Sequence, residues 1–172
     1  MTQPWHRYVE ERFDGDLRRW HSDGYRSDVS DAEPVAPYLA ALPAGAAGAL
    51  ARWDRLARAG GIPDMFLFEE GGTYGGTGGP AGLWTLGHDG GGNRYCVLPT
   101  GEIGVWDHQT GEVESHHRFP SLDAFAWAVV RVGAIDAGTL DRDSSEAAEL
   151  MGTSHDGTHY LVQRLAESLD DQ

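Results

Sequence analysis

Eight histidines, one cysteine and 27 acidic residues are the side chains of this 172-residue sequence with most scope for chemistry. His88-Asp89 and Asp107-His108 stand at the ends of strand-like segments, where imidazoles and carboxylates could meet as a small metal-dependent hydrolase site. No third and fourth ligand stand at a credible spacing, so no zinc or other transition metal is expected at His88 or His108. His155 and His159 have the spacing of two zinc ligands on one helix face. The residues between them read Asp-Gly-Thr, without the glutamate such a site needs, and Gly157 speaks against a helix there. His116 and His117 fall in a strand-like stretch whose alternation would send their rings to opposite faces. Cys96, between Tyr95 and Val97, reads as a buried, inert thiol. Glu112 and Glu114 share a strand face, but nothing indicates the sugar cleft that a glycosidase pair would need. There is no G-x-S-x-G elbow for a nucleophile. Gly76-Thr77-Gly78-Gly79-Pro80-Ala81 matches a dinucleotide fingerprint in form only, because a strand-like Leu83-Trp84-Thr85-Leu86 follows it instead of a helix. No catalytic residue, metal or cofactor is expected.

The elements that would position these residues follow from periodicity and breaks. Trp5, Tyr8, Phe13, Leu17 and Trp20 have partial helical spacing, which predicts a first helix over about 4–20. After the break Asp31-Ala32-Glu33-Pro34, an Ala-rich stretch carries Leu50, Trp53 and Leu56 on one face of a helix over about 44–59, ended by Gly60-Gly61 and Pro63. Met65–Phe68 reads as a short buried strand. Eleven glycines in 71–92 make the next stretch loop-rich. Strands over 94–98, 102–106 and 112–118, separated by short Gly-containing turns, predict an antiparallel meander. Ser121 then caps a helix whose apolar face is Leu122, Phe125, Ala126, Val129 and Val130. Two further helices are expected at 144–151 and 158–169.

Composition narrows the function classes. All 13 basic residues are Arg, so a P-loop lysine, a Schiff-base lysine and a kinase lysine are excluded. A net charge of −14 opposes binding to a phosphate backbone and favours basic protein partners. Residues 69–114 hold seven acids against Arg94 alone. One cysteine excludes a disulfide scaffold. No apolar run is long enough to span a membrane, and Met1–Arg7 lacks the basic-then-apolar pattern of a signal peptide, so a cytoplasmic location is expected.

The segment from Gly87 through Asp89, Gly90, Gly92, Asn93 and Tyr95 is a glycine turn opening a strand. It is followed by a strand ending Trp106-Asp107-His108 and by a helix opening Ser121-Leu122, with Phe125 on its apolar face. Glycines at 90 and 92 permit positive φ, Asn93 can bond locally, Asp107 can cap its turn, and Tyr95 and Trp106 are large core anchors. This order of motifs resembles the core of the SUKH superfamily, the Smi/Knr-like proteins. The resemblance implies an α+β fold, an antiparallel sheet covered by helices. Residues 34–135 would form that core, with a helical extension over 1–33 and an acidic helical one over 136–172. It also implies a non-enzymatic bacterial immunity protein that binds and neutralises a cognate toxin, such as a nuclease or deaminase. On that reading Glu69, Glu70, Asp89, Asp107, Glu112 and Glu114 would face the partner. A regulatory or structural interaction domain without a toxin is the other non-enzymatic expectation.

Overall fold

The computed structural model describes residues 1–22, 36–43, 45–59, 66–73 and 79–170. The break at 31–34, the stop at Gly60-Gly61, Pro63, Met65 and residues 76–78 of the glycine fingerprint lie outside that range. The described residues form helices α1 (Tyr8–Glu11), α2 (Phe13–Trp20), α3 (Ala36–Ala40), α4 (Ala46–Ala59), α5 (Leu122–Asp136), α6 (Ser145–Met151) and α7 (Asp156–Asp170). The strands are β1 (Leu67–Thr73), β2 (Trp84–His88), β3 (Arg94–Val97), β4 (Ile103–Asp107) and β5 (Glu112–Val113). The fold is α+β: an antiparallel sheet in the order β1-β2-β3-β4-β5 covered by helices, with helices at both ends of the chain.

The meander forms as its turns require, with Tyr95 opposite Val105 and Cys96 opposite Gly104. Its third strand is shorter than the 112–118 expected. Trp106 pairs with Val113 and Asp107 with Glu112, and the chain then leaves the ladder. It returns at Phe119, which bridges Ile103. The reason is the pull of α7. His117 takes a left-handed φ of 59°, which no strand accommodates. Its N–H donates to the Asp156 carboxylate, and the N–H of Gly157 donates to the Arg118 carbonyl at 3.1 Å.

Ser121 caps α5 as expected, its Oγ accepting the Ala124 N–H at 3.2 Å. A single apolar face, however, is too narrow a description of this helix. Leu122 and every residue from Ala124 to Ile135 are buried. Phe125 meets the sheet side, with ring centroids 4.9 Å from Tyr95, 5.2 Å from Phe119 and 5.3 Å from Phe66. Trp127 meets Trp5 at 5.6 Å. The helix predicted over 4–20 is broken at Arg12, whose φ is −127°. Tyr8 and Phe13, five positions apart, would point roughly 140° apart on one straight helix. The break lets both be buried.

One hydrophobic cluster runs from Tyr8, Phe13 and Trp20 through Trp84, Tyr95 and Phe125 to Leu161 and Leu165. The boundaries at 33/34 and 135/136 therefore do not separate cores: α1, α2, α6 and α7 are layers of the same core as the sheet. Cys96 is fully buried in β3.

Gly157, read as a helix breaker, lies in the first turn of α7. A Cβ there would sit 2.7 Å from two Phe119 ring carbons and 2.8 Å from the Arg118 carbonyl oxygen. Gly157→Ala should therefore lose roughly 1–3 kcal/mol of stability, seen as a lower urea midpoint at unchanged slope.

A second expectation concerns acid. His21 is buried, its Nε2 3.1 Å from the Val130 carbonyl of α5, and burial holds its imidazole below the ordinary 6.5. His155 is shifted the same way, first by desolvation and then by nearby His159. The unfolded chain takes up these protons first. Their contribution is thus intact above pH 6.5 and lost as pH falls through it towards the lower folded values. Urea midpoints measured between pH 7.5 and 5 should fall, and the slope should flatten in His21→Gln.

Candidate functional site

The glycine turn between β2 and β3 is built around Asp89. Its Oδ1 accepts the N–H of Gly91 at 2.8 Å and of Asn93 at 3.2 Å. Its Oδ2 accepts the Asn93 side-chain amide at 3.3 Å and the guanidinium of Arg164, which reaches across from α7. Gly90 and Gly92 take φ of 76° and 103°, the left-handed region that glycine enters without strain. At Gly92 a Cβ would also press on the His108 ring at 3.2 Å. The Asn93 side chain ties the turn to the end of β4, its Oδ1 accepting the His108 backbone N–H at 3.3 Å and lying 2.9 Å from the His108 Nδ1. Asn93 does not use the left-handed backbone its type tolerates; among non-glycine described residues that conformation falls to Arg7 and His117.

This geometry corrects the partner-facing set. The Asp89 side chain is 5% exposed and its oxygens are spent inside the chain, so Asp89 leaves the set. Tyr95 and Trp106 are core residues, 1% and 5% exposed. Glu114 is partly withdrawn, its Oε2 lying 2.6 Å from the His117 Nδ1. Glu69 and Glu70 lie on β1, within the interval from Phe68 to Gly72 where the register against β2 shifts. Asp107 caps the β4–β5 turn, its Oδ1 accepting the N–H of Gln109 at 2.7 Å and of Thr110 at 3.4 Å. Glu112 is exposed and stands directly opposite Asp107 in the β4–β5 ladder.

Of the hydrolase set, Asp89 and His108 both bond the Asn93 side chain, whereas His88 stands on β2. His88 is paired with Arg94, and Arg94 with Trp106, so two strand spacings, roughly 10 Å, separate the end of β2 from β4. Among the described residues, the one group of three His, Cys, Asp or Glu side chains with donor atoms gathered closely enough for a metal ion is Glu114, His116 and His117. Sequence reasoning missed it by assuming that the strand continued. The left-handed His117 was the hidden feature, and no residue type announces that conformation in a histidine. His155 and His159 are occupied separately: the Thr158 N–H donates to His155 Nδ1 at 3.3 Å, and His159 Nε2 lies 2.8 Å from the Thr153 carbonyl.

Two clefts of about 210 and 440 Å³ meet at Ser121 and Asp123. Ser121 is engaged as the α5 cap, while Asp123 accepts the Val9 N–H at 2.8 Å and is pushed up by burial. In the glycine fingerprint, Ala81 is followed by β2 rather than by a helix, so the dinucleotide context is missing. No described helix is long and apolar enough to cross a membrane. Comparison with protein-family models, curated proteins and solved structures finds no match, to SUKH proteins or to any others.

If Asp89 is the internal tie described, Asp89→Ala should lower stability by about 2 kcal/mol, because it strands two turn N–H groups and the Arg164 guanidinium. Asp89→Asn, which retains an acceptor oxygen, should cost less. Denaturant titration of both variants checks this; unchanged stability in Asp89→Ala would return the residue to the partner-facing set.

Proposed function

We propose that this chain is a non-enzymatic protein-binding module that neutralises a basic protein toxin in the cytoplasm, in the manner of SUKH-type immunity proteins. The observation that carries the reading is a pair of like charges. Asp107 and Glu112 face each other across the β4–β5 ladder, and neither makes an ion pair among the described residues. Directly opposed carboxylates weaken a strand pair. A partner Arg or Lys entering between them would relieve that repulsion.

Six of the chain's 13 arginines are engaged within it. Arg7, Arg18, Arg19, Arg118, Arg131 and Arg164 each pair with a carboxylate of the same chain. Against a net charge of −14, this leaves the exposed acids to act outward. The glycine-turn residues that carry the SUKH resemblance serve the fold, so partner choice falls to the acids outside that turn, first Asp107 and Glu112, with Glu69 and Glu70 as further candidates.

The test begins with capture of the partner from the source cell and expression of the captured protein alone. Growth arrest relieved by co-expression of this chain is the expected result; a harmless captured protein would favour the regulatory reading instead. Association should slow as salt rises, since the screening length falls from about 30 Å at 0.01 M to about 10 Å at 0.1 M. It should slow similarly in Glu112→Gln and in Asp107→Asn, which keeps the turn-capping oxygen. On-rates indifferent to salt and to both substitutions would mean that the acidity serves solubility alone.

A further inference from the structure

We propose that Glu114, His116 and His117 form a binding site for a divalent transition-metal ion of the zinc class, independent of the partner-binding reading. Each offers one donor atom, and the three donors lie within 4.8 Å of one another. Four-coordinate zinc with bonds of about 2.0–2.1 Å holds its donors roughly 3.3 Å apart. Small side-chain rotations therefore close the site. The two imidazole rings are 4.2 Å apart and nearly edge to face. The Glu114 carboxylate already lies 2.6 Å from the His117 Nδ1.

The site is held from outside. The His117 backbone N–H donates to Asp156, which adds a second negative charge beside the cluster. The His117 ring stacks on Tyr160 of α7, with centroids 4.1 Å apart and planes within 17°. The Glu114 backbone carbonyl accepts from the Arg118 guanidinium at 3.3 Å. These contacts hold the backbone of Glu114 and His117 and the plane of the His117 ring in place. His116 is exposed, with the Ser115 hydroxyl 3.3 Å from its Nδ1. Two imidazole nitrogens and one carboxylate oxygen select zinc, nickel or copper over magnesium or calcium, which prefer all-oxygen sites.

The experiment uses the full chain, made without a histidine tag and stripped with a chelator, titrated with Zn²⁺ against a chromophoric competitor. One equivalent should bind, and Mg²⁺ and Ca²⁺ should not compete. Affinity should fall at least about tenfold in His116→Ala and in Glu114→Gln and stay unchanged in His88→Ala and His108→Ala. His116 is exposed, so its substitution leaves the fold intact, which circular dichroism verifies. Failure to take up Zn²⁺, or uptake that survives both His116→Ala and Glu114→Gln, would overturn the proposal.

Discussion

A helix buried on every side must be wrapped on every side, and α5 imposes that constraint on the rest of the chain. From Ala124 to Ile135 it shows no exposed residue. The sheet side takes Phe125, and α1, α2, α4, α6 and α7 take the remaining faces. A charge lies inside this shell, Arg131, whose side chain is 4% exposed. Its guanidinium lies 4.8 Å from the Trp127 ring centroid, 5.3 Å from that of Trp20 and 5.6 Å from that of Tyr8. Asp16 of α2 stands 3.7 Å away and also accepts the Tyr8 hydroxyl at 2.7 Å. A buried cation of this kind is tolerable only with its aromatic faces and its counter-charge in place. The N-terminal helices supply both, which makes them part of the fold rather than an appendage to it.

The other end of the chain is tied down by the same logic. Arg164 of α7 reaches Asp89 in the glycine turn, while Asp156 and Gly157 hold the segment between β5 and α5. That grip ends β5 after Val113 and brings His116 beside His117. The short edge strand and the histidine cluster share one cause, the docking of α7. On the β4–β5 hairpin, Asp107 and Glu112 stand opposite each other, and neither makes an ion pair among the described residues. A chain that consumes its motif residues in turns and ties can still bind specifically through such a rim, because charge steers encounter without requiring a preformed pocket.

Much of the architecture was legible from residue order. Turn residues spaced between β-formers yield β3 and β4 at nearly the expected bounds, and Ser121 and Ser144 mark the starts of α5 and α6 through local hydrogen bonds. The candidate site was legible in part. Asp107 as a turn cap depends on neighbours two and three residues away, and the sequence suffices for that. Asp89 as a partner residue did not survive, since Arg164, 75 positions distant, is the group that claims it. Hydrophobic periodicity marked one stripe of α5, whereas the unbroken apolar run from Ala124 to Val130, with Trp127 off that stripe, was the sign that its other faces would be covered too.

The sequence by itself determined the class of fold, the order of the meander, the helix caps and the acidity, because each depends on local backbone preference or on a sum over composition. Tertiary structure alone decided where the chain leaves the sheet, which carboxylates are spent internally and which histidines meet. These outcomes depend on close approach between segments far apart in the chain. Gly157 shows the difference most plainly: read locally, it breaks a helix; in the folded chain, it is the gap that lets α7 press against Phe119.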